Sequence, residues 1–125
     1  LHPVMTECAA GLLEAGEDPE AAGRRELAEE TGLAAGPMER IGRYMLMQGG
    51  CDEVMFYFAA RVALPAPEAV GTHGLAHEGE DTRVIVLSAG EAFALLDANA
   101  IENVTAAVCL YWLRQHRERL RRAWA

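Results

Sequence analysis

No stretch of the sequence stays apolar for the roughly 18 residues that a membrane-spanning helix needs, and no basic segment runs into an apolar one as in a secretory signal. A cytoplasmic, soluble protein without a membrane partner is therefore expected. Cysteine is scarce. Cys8, Cys51 and Cys109 are odd in number and far apart, which argues against a disulfide framework or a zinc knuckle and leaves buried thiols as the expectation. Basic residues are outnumbered, 11 against 19 acidic ones, for a net charge of -8, so a phosphate backbone should be repelled and nucleic acid is not an expected partner. No internal repeat is visible. What the 125 residues do have, 51% hydrophobic and 24% charged, suffices for the core of one domain and is unlike a disordered tail.

The local signals order the chain as follows. Pro3 to Ala10 is a short apolar stretch, read as a strand that ends at Gly11. Asp18-Pro19 starts a helix, since Asp caps free N–H groups and Pro lacks the N–H that the first helical position leaves unused; Gly32 stops it. Met38 to Met47 and Glu53 to Leu64 form a hairpin about a turn at Gln48-Gly49-Gly50-Cys51-Asp52. Pro65 to Thr82 has no period and reads as a long loop, a feature that in compact domains is often functional. Arg83 to Leu87 reads as a strand. Ser88-Ala89-Gly90-Glu91 has capping-box spacing and opens a helix to about Leu96. A last helix starts at Ile101 or Asn103 and runs to about Arg122, with Val104, Val108, Tyr111, Trp112 and Leu120 available for burial. Arg114, Arg117, Arg119, Arg121 and Arg122 against Glu118 make that end basic; a solvated helix face with favourable charge near its C-terminus is the expectation, ahead of a phosphate or acidic-partner patch. Met38, Met45, Met47 and Met55 are expected as core or interface filler.

Between Gly11 and Leu33 the chain reads GLLEAGEDPEAAGRRELAEETGL, with Gly11, Glu17, Arg25, Glu26, Leu27, Glu29, Glu30, Gly32 and Leu33 at fixed spacings. This resembles the Nudix box at every defining position, and a chance match is on the order of 10⁻⁸. The chemistry of the residues agrees. Glu26, Glu29 and Glu30 are three and four apart, on one face of a helix, where like charges repel. A hard divalent cation such as Mg²⁺, which takes carboxylate and phosphate oxygens, relieves that repulsion. Arg25, between the acids, is read as orienting Glu29 or Glu17 and not as a substrate ligand; Glu17 and Gly32 are read as structural. Gly11 lets the main chain pass close to the site.

The loop carries a second acidic group, Thr72-His73-Gly74-Leu75-Ala76-His77-Glu78-Gly79-Glu80-Asp81. That loop, Asn103 to Trp112 and the closing Trp124-Ala125 together resemble the ADP-ribose pyrophosphatase branch of the Nudix hydrolases. The resemblance implies an α/β Nudix fold, a mixed sheet sandwiched between helices. It implies hydrolysis of ADP-ribose to AMP and ribose 5-phosphate with two or three Mg²⁺ ions, Mn²⁺ being a substitute. By position, Glu78 is then the general base, with Glu29 also catalytic; the Ala10 carbonyl, Glu26, Glu30 and Glu80 are metal ligands; Gly11 and Leu12 lie at the substrate. His73 and His77 are read as exposed loop histidines. Glu53, after the hairpin turn, is a candidate for a substrate hydroxyl or a contact to the catalytic loop, and equally an exposed strand-end carboxylate; Gln48-Gly49-Gly50 departs from the Ser-Pro-Gly-type turn that such members commonly have there. The branch also implies a homodimer built with an N-terminal region. A chain that opens on Leu1 and enters its richest motif within ten residues is expected to be a single Nudix domain, 1–125, of a longer protein. A hydrolase of another nucleoside diphosphate sugar, such as GDP-mannose, and a nucleotide sensor without turnover are the rival readings.

Overall fold

The structure, a computed structural model, describes residues 5–64, 72–73 and 82–125. Helix α1 spans Pro19–Thr31. Asp18 caps it, accepting the N–H of Ala21 at 3.1 Å, and Gly32 ends it at φ 73°, a left-handed conformation that glycine adopts without a Cβ clash. Strands β1 (Ala35–Met45) and β2 (Val54–Val62) form the expected antiparallel hairpin. The turn closes where Gly50 and Cys51 donate N–H bonds to the Met47 carbonyl. β1 starts three residues ahead of the expected Met38, because Arg24 reaches across from α1 and donates to the carbonyls of Ala35 and Gly36 at 3.0 and 2.9 Å.

Beyond the hairpin, β3 (Thr72–His73) pairs antiparallel with β4 (Thr82–Arg83). Helix α2 (Ala89–Asp97) carries the complete capping box: the Glu91 N–H donates to Ser88 Oγ at 3.1 Å and the Ser88 N–H to Glu91 Oε2 at 2.7 Å. Helix α3 (Val104–Ala123) is capped by Asn103, whose Oδ1 accepts the N–H of Ala106 at 2.8 Å.

Side-chain alternation along β2 places the helices on opposite sides of the hairpin. Met38, Phe56 and Phe58 share one face, and there Gly23 of α1 lies against Phe58 and Met38. Tyr57, Tyr44 and Glu39 share the other. The Tyr57 hydroxyl meets Thr105 Oγ1 of α3 at 3.3 Å, and Arg119 grips the Glu39 carboxylate at 2.6 and 3.0 Å. That bidentate pair holds the Glu39 carboxyl below its ordinary range. Helices thus enclose a sheet, as the α/β architecture requires. Both ladders among the described residues are antiparallel, so the parallel pairing of a mixed sheet is not among them. No helix among those residues is long and apolar enough to cross a membrane.

Several expectations need correction. Residues 5–10 form no strand; no ladder partner lies alongside them among the described residues, and their main chain is anchored instead by a side chain of α1, described below. Of Arg83 to Leu87 only Arg83 is in a ladder, and 84–88 has no regular structure. The long loop is interrupted by β3. In α3, Ala106 and the expected Leu120 are buried and Val108, Leu110, Trp112 and Leu113 are half-buried, and Ala106 joins Leu96 and Ile101 in the core cluster. Val104 and Tyr111 are turned away from it and are 65% and 57% exposed. Cys8 and Cys51 are exposed and not buried, and Cys109 is half-buried. Met45 and Met47 are exposed too, whereas Met38 and Met55 are half-buried. The basic end of α3 is more than a solvated face: besides Arg119, Arg114 pairs with Asp97 at 2.9 Å and stacks over Phe93 and Tyr111.

Candidate active site

Helix α1 presents the box acids beside the segment that precedes it. Gly11 passes so close to Glu26 that a Cβ there would overlap the Glu26 carboxylate. The Ala10 N–H donates to Glu30 Oε2 at 3.0 Å. Two carboxylates one helical turn apart therefore flank the Ala10–Gly11 main chain, and the close approach expected of Gly11 is met.

Arg25 organises the remainder. Its Nε donates to Glu17 at 3.0 Å; one terminal nitrogen donates to Glu26 at 2.7 Å and Glu29 at 3.1 Å; the other donates to Glu17 at 3.0 Å and the Leu12 carbonyl at 3.1 Å. A guanidinium has five N–H donors, and every one is used inside the motif. This matches an orienting role and leaves no donor for substrate. The sequence pointed to Glu29 or Glu17 as its partner; the structure has both, with Glu26 and the Leu12 carbonyl added. The side chains of Glu17 and Glu26 are each only 16% exposed, so water screens these pairs less than a fully exposed pair.

Glu17 also accepts the Glu14 N–H at 3.1 Å, closing the turn ahead of α1. Its hydrogen bonds with Arg25, then with the Glu14 main chain, hold its carboxyl below the usual 4.5. A carboxyl depressed in the folded state stabilises the fold above its unfolded pKa, and that stability disappears as pH falls through the folded value. Glu17→Gln is accordingly expected to melt below the wild type at neutral pH, with the difference closing well below pH 4.5. Thermal melts at stepped pH read this; a gap that persists in acid rejects the ion pair as its source.

A cavity of about 300 Å³ adjoins Glu26. Residues from both faces of β2, Met55 to Phe58, line it together with Ala10, Gly11 and Glu26, which puts it along the edge of β2 away from β1, an edge without a ladder partner among the described residues. Thr105 and Cys109 of α3 form the far wall. No local signal marked those two, since each reaches the cavity from across the fold. Leu12 is 84% exposed and contributes its carbonyl to Arg25; Glu53 is exposed at the hairpin turn. Glu78, Glu80 and His77 lie outside the described residues, as does the His73 side chain.

Among the described residues no three His, Cys, Asp or Glu side chains stand together as a ready metal site. The oxygen donors of Glu26 and Glu30 beside the Ala10–Gly11 main chain still fit a hard cation, because Mg²⁺ commonly takes one or two protein carboxylates and completes its shell with water and phosphate.

A NUDIX domain model matches residues 2–108. The chain is 35% identical over 98% of its length to an ADP-ribose pyrophosphatase of Escherichia coli K12 and 33% identical over 98% to one of Haemophilus influenzae. It is 29% identical over 88% to a GDP-mannose pyrophosphatase of an Enterobacter species. It spans 58%, 55% and 56% of those relatives' lengths. Nudix hydrolases generally depend on a divalent metal. With the complete box folded as one helix-and-loop unit and the match extending over most of its length, the chain belongs to the Nudix hydrolase family.

Proposed function

We propose that this domain hydrolyses the diphosphate of ADP-ribose with Mg²⁺, giving AMP and ribose 5-phosphate. The observation that carries the chemistry is the joining of Glu26 and Glu30 to the Ala10–Gly11 main chain, with Arg25 fixing Glu26, Glu29 and Glu17 from behind. The substrate follows the names of the Escherichia coli and Haemophilus influenzae relatives, each above 30% identity. A net charge of -8 suits an anionic diphosphate only with cations between them. Bound at the box, the cation offsets charge developing on the diphosphate and acidifies water.

The chain's own residues then have separate tasks. Glu26, Glu30 and Glu80 are the anionic oxygen donors, with the main-chain carbonyl of Ala10 as a neutral one. Arg25 is a positioning residue. Glu78 takes the proton of the attacking water, and Glu29 assists at the reacting centre. Support for the loop's part comes from β3, which packs against α1 while paired with β4.

The GDP-mannose pyrophosphatase relative supports a second reading, the same bond cleaved in another nucleoside diphosphate sugar. A panel of ADP-ribose, GDP-mannose and related sugars with Mg²⁺, products resolved by mass, separates the two. AMP and ribose 5-phosphate are expected from ADP-ribose, at about tenfold or more the efficiency on GDP-mannose. Reversal of that order supports the second reading, and binding without products on any substrate makes the domain a sensor. In the same assay Glu78→Gln should depress turnover while Mg²⁺ affinity persists.

A further inference from the structure

Arg24, Arg25, Arg114 and Arg119 are each tied to carboxylates or carbonyls. Arg40 and Arg43 of β1 are not. Both are exposed, and among the described residues neither guanidinium has an ion-pair partner or a hydrogen-bond acceptor, in a chain with 19 acidic residues. Instead both lie over one ring, that of Phe56 in β2, at 5.1 and 5.9 Å from its centroid. Their meeting has a backbone cause. Residues three apart on a regular strand point to opposite faces. Here the register shifts: Arg40 pairs with Phe58, Gly42 with Tyr57 and Arg43 with Phe56, so Ile41 is extra and both arginines come to the Phe56 face. Bulges of this kind re-aim side chains and are over-represented beside active sites.

That face is also the one against which α1, the carrier of the box acids, packs through Gly23, and Phe56 lines the cavity together with Glu26 and Gly11. Two like charges gathered on one ring repel each other, and an anion between them relieves that repulsion. Stacking engages the flat face of a guanidinium and leaves its N–H donors at the edge, in the fork geometry that suits phosphate oxygens. We propose that Arg40 and Arg43 form an anion subsite that grips the diphosphate of a nucleoside diphosphate while the box acids hold its cation. This role rests on the diphosphate reading above and adds the side chains that bind the phosphate oxygens directly.

The test uses the whole 125-residue chain with ADP and Mg²⁺, a ligand that carries the diphosphate and needs no turnover. By calorimetry, the double variant Arg40→Gln with Arg43→Gln should bind ADP at least about tenfold more weakly than the wild type, since hydrogen bonds to a charged group are lost. Arg121→Gln with Arg122→Gln removes the same two positive charges, taking -8 to -10, at the end of α3, where no residue lines the cavity. With salt screening that remote change, its affinity should stay within about twofold of the wild type. In the wild type, ADP should shield Arg40 and Arg43 from the arginine reagent phenylglyoxal while Arg121 and Arg122 stay reactive, the adducts being located by mass spectrometry. Unchanged affinity in the Arg40 and Arg43 variant, equal weakening in both variants, or full labelling of Arg40 and Arg43 with ADP bound would each overturn the subsite. The labelling needs no variant, so it decides the matter even where the glutamine protein misfolds. A wild type that binds ADP through these arginines but leaves ADP-ribose intact rejects the substrate reading and keeps the subsite; one that binds no ADP rejects both.

Discussion

Glu30→Gln is expected to lower kcat/KM by at least about 100-fold while leaving the melting temperature near that of the wild type. The amide replaces the carboxylate with a group of the same size, and its oxygen can still accept the Ala10 N–H, so the bond that joins the preceding segment to α1 is retained. What is lost is the anionic charge that a hard cation takes as ligand. Removing even a residue that only supports a metal ligand typically costs 10–100-fold, and a direct ligand should reach or pass the upper end. Turnover and Mg²⁺ affinity should therefore fall together. A variant with full activity would remove Glu30 from the site.

Gly11→Ala is expected to act on the same centre from the opposite side. The added methyl would occupy the position of the Glu26 carboxylate, and because that carboxylate is the tip of a flexible side chain, the helix itself need not move. Glu26 is pushed off, giving up its 2.7 Å contact with Arg25 and its place beside the main chain. A loss of about 10–100-fold in rate and in Mg²⁺ affinity should follow, with little change in stability. Gly23→Ala is the matched control. Its methyl would meet Phe58 at 3.6 Å, an ordinary contact, and alanine is the better helix former by roughly 0.5–1 kcal/mol, so this variant should melt no lower than the wild type and remain active. If both glycine variants behave alike, the close approach at Gly11 has no functional meaning.

How much of this was legible in the sequence depends on how local each signal is. Asp18-Pro19, Gly32 and the Ser88–Glu91 box act through bonds within one helical turn, and both helices begin and end close to where those residues put them. The hairpin turn was likewise legible, but the start of β1 was not, because its anchor is Arg24, a residue of another element. Residues 5–10 have strand-like composition, and a strand is defined by a neighbour that composition does not supply. Of the α3 residues expected inside, Leu120 is buried and Val108 and Trp112 half-buried, whereas Val104 and Tyr111 are exposed, because packing against α2 and the hairpin selects the inner face and composition does not. At the site, i to i+4 spacing put Glu26, Glu29 and Glu30 on one helix face, but it did not show that Arg25 bonds Glu26 and Glu29 while Glu30 accepts the Ala10 N–H. The reach of Arg25 to the Leu12 carbonyl depends on how the segment ahead of the helix folds back on it.

The short β3–β4 ladder fixes both ends of the segment 74–81 to the body of the domain. With its ends fixed, that segment becomes a region where length can change cheaply: doubling a flexible loop adds only about 0.6 kcal/mol of closure entropy. Insertions or deletions between His73 and Thr82 should therefore cost little stability. If this segment carries substrate contacts, as proposed above, selection has a place to vary them that leaves α1 and its caps undisturbed.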